Sequence, residues 1–111
     1  MTIQYKSEVF DLTDTNLTTV LTVSTSAVAI VKTVQASHQN ASNVDADLYL
    51  KKSGGSDVEI GHAQLNKSMV NMIVNTLNLE AGDVIKMQVS SANEITGVVS
   101  YALIDRSQEN G

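Results

Sequence analysis

The 111-residue sequence contains no cysteine, so disulfides, thiolate metal sites and cysteine nucleophiles are excluded together and the redox compartment leaves no trace. It has no tryptophan, and its aromatic residues are three tyrosines and one phenylalanine. A deep sugar site, which relies on aromatic stacking, is poorly supplied by that set. Basic residues are also few. Seven Lys and Arg stand against twelve Asp and Glu, a net charge of -5, the wrong sign for neutralising phosphate, and no nucleic-acid partner is expected. The longest uninterrupted apolar run is Ala27 to Val31. A membrane span needs ~18 such residues, so no membrane partner is expected. The opening MTIQYKSEVF has no charged segment followed by a run of ~7–15 apolar residues, which does not read as a secretory signal. A complete short gene product, made in a cytoplasm, is the expectation.

What the chain does contain is enough for one domain spanning residues 1–111. With 42% hydrophobic and 17% charged residues it is neither polar enough for disorder nor apolar enough for a membrane protein. Val, Ile and Thr cluster in short runs bounded by Ser, Asn, Asp and Gly, the pattern of β-strands separated by turns. The clearest strand is Val44 to Lys52, where Val44, Ala46, Leu48 and Leu50 alternate with Asp45, Asp47, Tyr49 and Lys51. Ala46, Leu48 and Leu50 are therefore expected to point inward. The Ser53-Gly54-Gly55-Ser56-Asp57 turn reverses the chain into Val58 to Leu65, with Val58 and Ile60 continuing one face.

Further strands are read over Ile3 to Leu12, Thr18 to Val23, Ala27 to His38, Met69 to Val74 with its continuation Leu77 to Leu79, Val84 to Val89, and Ile95 to Ile104. The run from Met69 is short enough for a strand buried on both faces. The last strand carries Ile95, Val99, Tyr101 and Leu103 on one face and Val98, Ala102 and Ile104 on the other, which reads as cover on both sides. A helix over Asn66 to Leu79 is the one alternative, weakened by its Val, Ile, Thr and Asn content. About eight strands with short turns between them predict an all-β fold, a two-sheet antiparallel β-sandwich, jelly-roll-like. Residues 106–111, polar and ending in Gly, are expected to form a flexible tail.

The chemistry-bearing residues form no recognised catalytic motif. His38 and His62 are the only histidines, and a zinc site built on them would need Asp or Glu ligands; two unrelated histidines at polar positions are the simpler reading. Asn40, Asn43, Asp45 and Asp47 offer oxygen ligands of the kind calcium takes, but not at EF-hand spacing, and an Asn-rich turn leading into a solvated strand explains them equally well. Asp11 and Asp14 do not by themselves make the two separated carboxylates of a glycosidase. No Gly-x-Ser-x-Gly elbow occurs, and Gly54-Gly55 lacks the Gly-Lys-Ser/Thr ending of a phosphate loop. The sequons at Asn16, Asn40 and Asn66 follow from a Ser-, Thr- and Asn-rich composition. Met69 and Met72 read as core filler. No catalytic residue, cofactor or metal is expected.

A resemblance supplies what the residue chemistry does not. The segments Tyr5-Lys6-Ser7, Thr18 to Val23 and Ala29 to Ser37, followed by Leu79-Glu80-Ala81-Gly82-Asp83-Val84-Ile85, Gln88 to Asn93 and Val98 to Ile104, resemble small virion proteins of tailed bacteriophages, especially marine ones. The resemblance implies a β-sandwich subunit of the virion that works through contacts with copies of itself and other virion structural proteins, as a homo-oligomer, a ring or trimer. It carries over no catalytic residue. The alternative is a receptor- or glycan-binding module at a tail-fibre tip, using loops such as Ser37 to Asn43, Gly54-Gly55 and Ser90 to Asn93. The candidate assembly contacts lie on the first strand: Ile3, Tyr5 and Val9 on one face, with Phe10 and Leu12 on the other.

Overall fold

A computed structural model describes residues 2–39, 43–66, 71–74, 76–91 and 94–105. Its strands are β1 (Thr2–Leu12), β2 (Thr18–Thr22), β3 (Ala27–His38), β4 (Val44–Lys51), β5 (Asp57–Leu65), β6 (Asn71–Val74), β7 (Leu77–Leu79), β8 (Val84–Val89) and β9 (Ile95–Asp105). Among the described residues no helix is long and apolar enough to cross a membrane.

The strands form two antiparallel sheets. Sheet A runs β1-β9-β3, with β6 and β7 both on the far edge of β3, and sheet B runs β2-β8-β4-β5. β7 pairs with Ala29 to Val31 and β6 with Val34 to Ala36. These are consecutive stretches of one interrupted strand, so the run read as continuous from Met69 to Leu79 is broken. Counted as one, they give the expected eight strands. The topology is that of a rolled ribbon: β1 lies beside β9, β2 beside β8, β3 beside β6 and β7, and β4 beside β5, while rolling adds the β3–β9 and β4–β8 pairings. The all-β, jelly-roll-like sandwich expected from the spacing of strands and turns is the fold observed.

Alternation fills the space between the sheets. Val31, Val34, Val99 and Ile95 of sheet A meet Val44, Ala46, Leu48, Ile85 and Met87 of sheet B, all buried. Ala46 and Leu48 point inward as expected, Leu50 packs half-buried on the core, and Asp45 is exposed.

Two expectations fail for local reasons. In β5 the register pairs Leu48 with Gly61 and Tyr49 with Glu59, leaving Ile60 as the extra residue of a bulge. With β5 at the sheet's edge, Val58 and Ile60 stay 58% and 39% exposed rather than closing the core. The second failure is β9, which among the described residues is covered on one side only: Ile95, Val99 and Tyr101 face the core, but Val98 and Ile104 lie half-buried on the outer side of sheet A. The expectations for Met69, Asn40 and residues 106–111 lie outside the described residues, as does the Met72 side chain.

Candidate functional site

β1 is an edge strand, paired one-to-one with β9 from Thr2↔Asp105 to Leu12↔Ile95. Its alternation sends Leu12 into the core, where it is 2% exposed, and packs Phe10 against it. The other parity points away from sheet B, leaving Ile3, Tyr5 and Val9 57%, 78% and 82% exposed. Directly opposed residues of antiparallel strands share a face. The register therefore places Ile104 and Val28 beside Ile3, Ala102 and Ile30 beside Tyr5, and Val98 and Gln35 beside Val9. One polar row, Ser7-Ser100-Thr33, crosses this surface. Ala102 is only 6% exposed without belonging to the core, as a small residue set among larger ones on this outer face must be. The Lys32 ammonium sits 5.7 Å from the centre of the Tyr5 ring. Three of the four expected contact residues thus lie on one apolar face, and Phe10 takes the opposite side.

At one end of this face lies a groove of about 540 Å³. Its lining includes Val9, Gln35 and Val98 from one row and Asp11, Ser37 and Thr96 from the next. The backbone between those rows passes through Gly97, where a Cβ would come 2.1 Å from the Gln35 carbonyl oxygen and 2.4 Å from Phe10 Cζ. Phe10 therefore packs where Gly97 has no side chain, which fixes its ring inward. The carboxyl of Glu94 is held above its ordinary value, first by hydrogen bonding with the neighbouring Asp11 and then by the Asp11 charge.

The histidines are not brought together. His38 is buried, a correction to its reading as a polar-position residue, and its Nε2–H donates to the Leu65 carbonyl at 2.7 Å, tying β3 to the end of β5. A carbonyl only accepts, so that nitrogen carries the proton. His62 lies on the outer face of sheet B, its Nδ1 against Asp47 Oδ1. Its pKa is raised by that hydrogen bond, against desolvation, and further by the charges of Asp47, Asp45 and Glu59. The ligand atoms of Asp47, Glu59 and His62 lie within 4.8 Å of one another, a trio able to offer three donors to a cation. Sequence spacing misses it because the bulge at Ile60 is what turns Glu59 and His62, three positions apart, to the same face. Asp47 stands with these two rather than with Asn43, which is exposed outside the strand.

A further cluster is structural. Asp83, 1% exposed, accepts from the Lys52 ammonium at 2.6 Å, from Glu80 N at 2.8 Å and from Ser53 N at 3.3 Å. Lys52 also reaches Glu80 at 2.5 Å. These bonds lock the turn after β4 to the turn before β8.

No protein-family model matches the chain, and no curated protein matches it in sequence. Several solved structures share its fold. A chain in the structure of infectious bursal disease virus, Gx strain, superposes with TM-score 0.58 at 6% identity, covering 97% of this chain and 34% of that one. A chain of the Bacillus endospore appendages, a family of disulfide-linked pili, matches with TM-score 0.52 at 10% identity over 95% of this chain and 88% of its own. Clostridium thermocellum xylanase 10B, solved as its CBM22-1 and GH10 modules with xylohexaose, matches with TM-score 0.52 at 7% identity over 78% of this chain. This chain spans only 18% of the xylanase chain. At such identities the likeness is one of fold.

Proposed function

We propose that this chain is a structural subunit of a bacteriophage virion, a capsid decoration or a tail- or fibre-associated protein, acting through contacts with copies of itself and with neighbouring virion proteins. The observation that carries this reading is the open apolar face of sheet A, where Ile3, Tyr5 and Val9 stand exposed in line with Val98, Ile104 and Ile30. Large apolar side chains left exposed on one sheet face, here on both sides of the Ser7-Ser100-Thr33 row, mark an interaction surface. The sequence resemblance to phage virion proteins supports the same reading, as does a jelly-roll sandwich shared with a viral chain over almost the whole length. Synthesis in the host cytoplasm and residence in the virion follow from it.

The test is the paired substitution Tyr5→Ser with Val9→Ser, both on exposed positions. Stability is expected to change by less than about 1 kcal/mol, while incorporation of the chain into particles is lost. Incorporation at the wild-type level would sink the proposal. Deleting β1 would test nothing, because it pairs with β9 along its length and supplies Leu12 to the core.

A second reading, the receptor- or glycan-binding module, draws on the groove, where Asp11, Gln35, Ser37 and Thr96 offer hydrogen-bonding groups beside Val9 and Val98. Oligosaccharide binding abolished by Gln35→Ala, with particle incorporation unaffected by the Tyr5 and Val9 changes, would select it.

A further inference from the structure

The free edges of the sandwich differ in one respect. β2 has five residues and a register break, β5 carries the bulge at Ile60, and β6 and β7 are segments of four and three residues. Short strands and bulges are devices that keep edges from pairing with other chains. β1 has none of them: it is eleven residues long, its register against β9 is unbroken, and the chain contains no proline. Among the described residues it is paired on one side only. Extended over ~37 Å at ~3.4 Å per residue, it presents a long row of backbone donors and acceptors, and the charges it carries, Lys6 and Glu8, are of opposite sign.

We infer that β1 pairs antiparallel with β1 of a second copy about a two-fold axis through Ser7, joining two sheets A edge to edge. The five central side chains, Tyr5 to Val9, select that register. Centred on Ser7, it sets Lys6 opposite the partner's Glu8 and Glu8 opposite the partner's Lys6 on one face, and Tyr5 opposite the partner's Val9, twice, on the other. Opposite charges and aromatic–β-branched pairs are favourable cross-strand combinations, whereas like charges directly opposed are not. Moving the axis one residue either way is penalised. Centred on Lys6 the pairing opposes two lysines, and centred on Glu8 it opposes two glutamates. Lys6, Glu8, Tyr5 and Val9 are all exposed in the single chain, so none must leave the core to make these contacts.

This inference deepens the assembly reading and rests on it only for its biological setting. A two-fold axis normal to the sheet keeps both outer faces on the same side, so pairing doubles the apolar face carrying Tyr5 and Val9 into one surface. An isologous contact closes after two copies. A ring would then be built of such pairs, with the doubled face available for contacts between them.

The test uses the purified full chain in sedimentation equilibrium, with folding checked by circular dichroism. The wild type is expected to dimerise. Lys6→Glu alone, or Glu8→Lys alone, turns two attractive pairs into two repulsive ones and is expected to weaken the dimer by about tenfold or more. The double variant Lys6→Glu/Glu8→Lys restores both attractions and with them dimerisation. In a chain without cysteine, Ser7→Cys is expected to cross-link to its own copy on mild oxidation and Gln4→Cys is not, a readout independent of the charge variants. A wild type that stays monomeric at millimolar concentration overturns the inference, as does a dimer indifferent to the charge reversals or cross-linked equally through both cysteines. If copies associate but ignore the reversals, the edge pairing falls while the virion reading stands. If they pair as described but never enter particles, the reverse holds.

Discussion

At the residue scale the most constrained group is Asp83. Burial by itself would push its carboxyl up, but the Lys52 ammonium and the Glu80 and Ser53 amides outweigh burial and hold the pKa below the ordinary 3.8. The sign follows from proton binding. Between the lowered folded pKa and the ordinary one the unfolded chain binds more protons, so stability rises with pH there. The contribution is complete above the ordinary carboxylate range and is lost as pH falls through the folded value. Asp83→Asn removes the charge that Lys52 needs, and we expect it to cost ~2–4 kcal/mol at pH 7. Its melting temperature should fall less steeply than the wild type's between pH 5 and 2, as acid scans followed by circular dichroism would show; parallel slopes would refute the assignment. Nothing in the sequence marks this site, since Lys52 and Asp83 are far apart in the chain and only the rolled topology brings their turns together.

Gly97 makes the same point by subtraction. In the sequence it is one small residue inside a strand pattern, and such a glycine often marks a close approach of another group. The obstacle to a side chain there is the Gln35 backbone, which cannot swing aside, as well as the Phe10 ring, which can. Gly97→Ala is expected to destabilise by at least ~1–3 kcal/mol in urea titration and to loosen Phe10. Pairing Gly97→Ala with Phe10→Leu would recover only part of that loss, because the carbonyl clash remains.

At the scale of elements, legibility depended on whether a strand's environment is set by its own alternation. β4 was readable: it is central in sheet B, with alternate positions facing core and solvent. Leu48→Ala is accordingly expected to cost ~2–5 kcal/mol through lost burial and a residual cavity, and Asp45→Ala less than ~0.5 kcal/mol. Equal losses in denaturant titrations would place the strand in the wrong register. β5 was readable as a strand but not in its facing, because a bulge adds a residue to one strand without a sequence mark and reverses every position beyond it. That reversal also hid the Asp47, Glu59 and His62 trio. β1 lay between these cases. Its two faces could be read from Ile3, Tyr5, Val9 and Phe10, but its neighbour could not, since β9 lies at the other end of the chain.

At the scale of the whole molecule, the ribbon topology brings the ends of the sheet together: Thr2 faces Asp105 across the β1–β9 ladder, while the far end of the ribbon closes through the exposed Gly54-Gly55 turn. Gly54, at φ 77°, has nothing within 4 Å of the place where its Cβ would be, so a cut beside it meets no packed neighbour, while Lys52 and Ser53 just before it keep their bonds to buried Asp83. Opposed antiparallel residues lie only ~4.5–5.5 Å apart, and hairpin loops of ~2–5 residues bridge such gaps. Joining residue 111 directly to residue 1 leaves Met1 and residues 106–111 as the connection, longer than that minimum. A permutant so joined, with new ends between Gly54 and Gly55, exchanges one closure of the ribbon for the other and keeps every strand pairing. We expect it to retain the β-sheet circular dichroism spectrum and to melt within several degrees of the wild type, whereas opening the chain inside β8, between Ile85 and Lys86, should abolish folding because β8 pairs on both sides. The permutant should also still dimerise, since the edge of β1 is untouched. A permutant that fails to fold would mean that the β4–β5 turn, and not the pairing of the ribbon's two arms, holds the sandwich closed.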